Sequence, residues 1–96
     1  MLPDLLTKAA IEYLEGIWSF VAPHNRNAAD RLVEELFNAC EQLSKWPGKG
    51  HIRRDVPRDV RFWPVGSYLI VYREKPFLVI AIVHGGRDIG SVLKSR

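Results

Sequence analysis

The sequence predicts an α+β fold: an N-terminal helical hairpin packed on a small antiparallel β-sheet, with residues 1–96 forming a single domain. Three observations carry this. Apolar residues recur at three- and four-residue steps through Leu43, the pattern of amphipathic helices. Trp46-Pro47-Gly48-Lys49-Gly50 then breaks the pattern, and from residue 51 onward β-branched and aromatic residues dominate. Helices first and strands after is the order of an α+β domain, and 96 residues have room for one hydrophobic core.

Thr7 is placed to cap a first helix whose apolar residues are Ile11, Leu14, Trp18 and Val21, with Lys8, Glu12, Glu15 and Ser19 on the opposite stripe. Pro23 stops it. Leu2 to Leu6, ahead of the cap, reads as a short edge strand. After the link His24-Asn25-Arg26-Asn27, Asn27 with Asp30 forms a weak capping pair for a second helix, whose core stripe is Ala29, Leu32, Val33, Leu36, Cys40 and Leu43. So short a link sets the two helices antiparallel.

In the second half, Val60 to Val65, then Gly66-Ser67, then Tyr68 to Arg73 predicts a hairpin with a two-residue turn. Glu74-Lys75-Pro76 makes the next turn, and Phe77 to His84, apolar on both faces, is a strand for the middle of the sheet. Pro64 lacks a ladder donor and belongs at an edge or bulge. Both sheet faces are apolar and two helices cover only one. An aromatic, partly basic surface carrying Trp63, Tyr68 and Tyr72 is therefore expected to remain for a partner.

Composition narrows the function classes. The longest apolar run, Phe77 to Val83, is too short to span a bilayer, and Met1-Leu2-Pro3-Asp4 has no basic-then-apolar leader. Cys40 has no second cysteine to pair with, so a reducing compartment, the cytoplasm, is expected. Charge is uneven: residues 1–50 carry five Lys/Arg against seven Asp/Glu, and residues 51–96 carry nine against four. A basic second half favours an acidic partner, either nucleic acid or protein.

Few residues suggest catalysis. His84 stands before Gly85-Gly86-Arg87-Asp88 and could act as an acid or base beside a phosphate, with Arg87 neutralising charge. No second acid or base stands at a fixed spacing, so hydrogen bonding of the C-terminal turn is the preferred reading for His84 and Asp88. Gly85-Gly86 lacks the Lys-Ser/Thr of a phosphate loop. His24, His51 and His84 are scattered without cysteine partners, and no metal site or cofactor is expected. His51 to Arg61 is dense in charge, but Asp55 and Asp59 among its cations make a solvated loop at least as good a reading as a nucleic-acid patch.

Order and spacing together resemble the ParE branch of the RelE/ParE toxins of bacterial toxin–antitoxin modules. The resemblance runs through Leu6-Thr7-Lys8-Ala9-Ala10, Ile17-Trp18-Ser19-Phe20-Val21, Asn27-Ala28-Ala29-Asp30-Arg31-Leu32, and Leu43 with Pro47 and Gly50. It is most specific in Arg61-Phe62-Trp63-Pro64-Val65-Gly66-Ser67-Tyr68-Leu69-Ile70-Val71-Tyr72, followed by His84-Gly85-Gly86-Arg87-Asp88. It implies the toxin of a type II module, of the kind linked to plasmid stabilisation, that binds and inhibits DNA gyrase. A cognate ParD-like antitoxin would neutralise it in a hetero-oligomer.

On that reading Trp63, Tyr68, Tyr72, Arg61 and Arg73 meet the antitoxin, and His84, Arg87 and Asp88 meet the target. Neither catalysis, nor a membrane, nor sequence-specific DNA binding by the chain alone is expected. The alternatives are a RelE-like, ribosome-dependent messenger endoribonuclease using Arg61, Arg73, His84 and Arg87, or an inactive relative that keeps its antitoxin. The tail from Asp88 to Arg96 has no aromatic residue of the kind that completes RelE-type sites, which favours the non-enzymatic branch.

Overall fold

The computed structural model describes residues 5–85. Two helices, α1 (Lys8–Val21) and α2 (Arg26–Lys45), are followed by a 3₁₀ turn at Pro47–Lys49. Four strands follow within the described residues: β1 (His51–Ile52), β2 (Val60–Val65), β3 (Tyr68–Arg73) and β4 (Leu78–His84). They form one antiparallel sheet in the order β1-β2-β3-β4, the α+β arrangement expected.

Helix starts are set by side-chain acceptors for otherwise orphaned amides. Thr7 Oγ1 accepts from the Ala10 amide at 3.0 Å, as the sequence indicates. For α2 the cap is Asn25, accepting from the Ala28 amide at 3.0 Å, two residues ahead of the expected Asn27–Asp30 pair. Asp30 is used otherwise: its carboxylate accepts from the Trp18 indole N–H at 2.7 Å, and the Arg26 guanidinium sits 5.6 Å from the same ring. These contacts hold the two helices together near their link.

The buried residues of α1 are Ala10, Leu14 and Ile17, one step around the helix from the expected stripe. The reason is that α1 has two neighbours. Ala10, Leu14 and Ile17 belong to the core over the sheet, whereas Ile11, Leu14 and Trp18 line an open apolar groove of about 530 Å³ with Val33 and Phe37 of α2. On α2, Ala29, Leu36, Cys40 and Leu43 are buried as the spacing predicts, with Leu32 and Val33 partly so.

In the β2–β3 hairpin Val65 lies opposite Tyr68 across Gly66-Ser67. Gly66 has φ +57° and no described non-glycine residue has positive φ, so the turn is of the II′ kind, whose twist suits a two-residue hairpin. Pro64 falls on a non-hydrogen-bonded pair of that ladder, and its nitrogen faces the open side, beyond the Arg61–Phe62 stretch covered by β1. Between β3 and β4 a bulge at Val71/Tyr72 leaves Ile80 without an opposite residue, which keeps Val79 on the side of Tyr72 and Ala81 on the side of Val71.

The expected N-terminal edge strand narrows to a single parallel bridge between Leu6 and Val79, with residues 1–4 outside the described residues. The Thr7 amide donates to the Val79 carbonyl at 3.0 Å and the Val79 amide to the Leu5 carbonyl at 2.8 Å. β4 is last in the sheet order, which corrects its expected place in the middle: among the described residues the side away from β3 carries only this bridge at Val79. Apolar residues on both faces of a strand reflect cover on the faces and not pairing at both edges. β1 is an addition to the expected fold; it pairs His51 with Phe62 and Ile52 with Arg61 inside what reads from sequence as a loop.

Candidate functional site

Two residue groups occupy opposite ends of the helix-covered face of the sheet. At one end stands Tyr72, which is fully buried. Its hydroxyl donates to the Pro47 carbonyl at 2.6 Å and accepts from the Gly50 amide at 2.9 Å, fastening the turn after α2 to the middle of the sheet. Gly50 can only be glycine here, because a Cβ would collide with the Tyr72 ring and hydroxyl. Burial raises the phenol's pKa above its usual range, and Glu74 adds to this, while the bond from the Gly50 amide and the nearby Arg61 charge oppose it.

Arg61 closes the same end. Its Nε donates to Glu74 at 2.9 Å and its Nη1 to the Gly50 carbonyl at 2.8 Å, with the side chain only 17% exposed, so its guanidinium is committed to the scaffold. The edge beside it is aromatic and basic. Lys49 Nζ lies 4.5 Å from the centroid of the Trp63 ring, and the His51 ring stacks on Trp63 at 6.1 Å with an interplanar angle of 11°. Arg53 lies 5.4 Å from the Phe62 ring and forks onto Asp55, with bonds of 3.1 and 2.9 Å.

At the other end His84, exposed, meets Tyr68 edge-on at 5.7 Å. Both lie in an open groove of about 570 Å³ between α1 and the hairpin end of the sheet, with Glu12, Tyr13, Gly16 and Phe20 on the helix side. Phe20 is 75% exposed, so this end presents apolar surface to solvent.

The aromatic surface inferred from sequence is thus corrected in position. Trp63, Tyr68 and Tyr72 lie on the face beneath the helices, in one cluster with Leu14, Ile17, Leu36 and Leu43. Trp63 and Tyr68 keep partial exposure at its margins, and Tyr72 keeps none. The opposite face is closed too: Val60, Phe62, Val71, Ala81 and Val83 are buried, with Val56 from the loop before β2 against them. Strand alternation fixed which residues share a face; the helices selected the other one.

The described members of the four-residue ribonuclease constellation, Arg61, Arg73 and His84, do not come together either. Arg61 is opposite Tyr72 and His84 opposite Tyr68, so they stand four residues apart along β3, about 13 Å at the usual strand rise. Arg73 projects to the other face, exposed, 3.9 Å from Asp59. Arg87 and Asp88 lie outside the described residues. Among the described residues no three His, Cys, Asp or Glu side chains gather to hold a metal, and no helix is long and apolar enough to cross a membrane.

Sequence reading missed the Lys49–Trp63–His51 stack and the Tyr72 anchor. The Pro47-Gly48-Lys49-Gly50 break was the available signal, since a turn so rich in glycine permits a close approach.

Residues 5–89 match the model of the family described as the ParE toxin of type II toxin–antitoxin systems, parDE. The chain belongs to the ParE toxin family. A solved structure described as the chromosomal ParDE TA system from P. aeruginosa superposes on this ParE toxin with a TM-score of 0.70 at 17% identity. The match covers 82% of this chain and 90% of the other, a likeness of fold over nearly all of both. No curated protein gives a sequence match. For this ParE toxin, family and fold agree.

Proposed function

We propose that this ParE toxin acts by binding and inhibiting DNA gyrase in the cytoplasm, without catalysing a reaction or using a cofactor. A ParD-type antitoxin neutralises it in a hetero-oligomer, as in modules that stabilise plasmids. One observation supports the non-enzymatic reading above the others. Arg61, one of the cations that a ribonuclease site would bring to the scissile phosphate, is occupied by Glu74 and the Gly50 carbonyl and stands far from His84. An endoribonuclease needs cations and an acid/base group converging on one phosphate.

In this reading the exposed parts of Trp63 and Tyr68, with Arg73, contact the antitoxin, and Arg61 and Tyr72 hold the surface behind them. His84, with Arg87 and Asp88, contacts the target. Purified protein is expected to block gyrase supercoiling or to trap cleaved DNA, and its induction to arrest growth unless the antitoxin is co-expressed. Undisturbed gyrase together with cleavage of messenger in a translating extract would transfer the protein to the RelE-like reading.

A further inference from the structure

We infer that the surface around Trp46 and Trp63 binds single-stranded DNA, without regard to sequence, by base stacking and phosphate contacts. The turn after α2 assembles it. The Lys49 amide donates to the Trp46 carbonyl at 3.0 Å, so both residues belong to one tight turn, and the Gly50 amide fastens that turn to Tyr72. Lys49 Nζ lies 4.5 Å from the centroid of the Trp63 ring, and the His51 ring stacks on Trp63. Two tryptophans distant in sequence are thus brought to one edge of the sheet.

Trp46 has no use in the fold that accounts for it. It is 62% exposed and its indole makes no ring contact among the described residues, whereas Trp18 is tied to Asp30 and Arg26. Trp63 is itself partly exposed. An indole left in water beside a second indole and several cations is a platform on which a base can stack. The charge around it is one-sided: residues 45–58 carry Lys45, Lys49, Arg53, Arg54 and Arg58 against Asp55 alone, a net +4 within a chain whose total is +3.

In the sequence, Asp55 and Asp59 speak against a nucleic-acid patch. In the structure each has a cation of its own: Arg53 forks onto Asp55, and Arg73 stands 3.9 Å from Asp59. Glu74, which approaches the turn at Gly48, is held by Arg61. Lys45, Arg54 and Arg58 are exposed and form no ion pair among the described residues. Phosphates supply the missing partners, and the counterions they release favour binding. An acidic peptide would answer the cations and leave the indole faces bare. The choice of DNA over RNA rests on the gyrase reading, because a gyrase poison works where DNA is cut; the binding itself is measured without gyrase.

The test titrates the full chain into a labelled twelve-nucleotide oligothymidylate, following anisotropy and tryptophan fluorescence. An oligouridylate of the same length and a capped peptide alternating glutamate and valine are the competing arms. The oligothymidylate is expected to bind, to quench the indoles, and to weaken as salt is raised. Trp46→Ala is expected to lower affinity about tenfold, and Trp46→Tyr, which keeps a ring to stack on, to restore most of it. Arg54→Gln together with Arg58→Gln should reduce the log–log salt slope by about one, with thermal unfolding unchanged. Unaltered affinity in Trp46→Ala, equal binding of the peptide, or tighter binding of the oligouridylate would each overturn the proposal. Gyrase inhibition without oligonucleotide binding overturns this inference alone; binding without gyrase inhibition overturns only the gyrase reading.

Discussion

At the scale of single residues, the molecule turns on polar atoms that the core cannot leave unpaired. Tyr72 is buried, and its hydroxyl serves the Pro47 carbonyl and the Gly50 amide together. Tyr72→Phe keeps the shape but leaves both groups without a partner, so a loss of about 1–3 kcal/mol is expected in urea unfolding. Tyr68→Phe, at the exposed margin of the same strand, is expected to stay within about 0.5 kcal/mol of the parent. From sequence the two tyrosines were equivalent, alternating on one strand face. Only the turn packed over Tyr72 distinguishes them, and that turn is set by a contact 25 residues distant.

Elements owe their ends to local chemistry and their faces to neighbours. Thr7 and Asn25 each satisfy an amide of the first helical turn. Thr7→Ala and Asn25→Ala should each lower stability by about 1 kcal/mol, with near-additive effects in the double variant, whereas Asn27→Ala should change it little. Thermal or urea unfolding of the four proteins checks this, and equal costs at Asn25 and Asn27 would refute the assignment of the cap. The sequence offered both asparagines. Which one caps depends on where the link releases the chain, and the bond from Trp18 to Asp30 anchors that point.

Over the whole molecule, two protonated groups in the core make stability depend on alkaline pH. Burial lifts the Cys40 thiol from an ordinary value of 9.0 to about 12, and lifts the Tyr72 phenol above its ordinary 10.0. Above their unfolded values the unfolded chain sheds protons that the native chain retains. Stability contributed by the neutral forms is therefore complete below about pH 9 and declines as pH rises toward about 12. Unfolding measured across that window should show this decline. Cys40→Ala should flatten its lower part and leave the portion due to Tyr72. A thiol reagent at pH 8 should find Cys40 inert until the protein unfolds. The same closure of both sheet faces explains why a free aromatic face was expected and is not found: counting two helices against two apolar faces omits Val56 of the loop before β2 and Tyr13 of α1, which pack on the second.

What the sequence determined by itself was local or periodic: two amphipathic helices, the Gly66-Ser67 hairpin, the uneven charge, and a family resemblance borne by residues in fixed order. Periodicity of 3.6 or 2 residues is written along the chain, so one chain suffices to read it. The tertiary structure decided which sheet face the helices cover, the pairing of β1, and the separation of Arg61 from His84. Each of these depends on which distant segments meet, and alternation states which residues share a face without stating what lies against it.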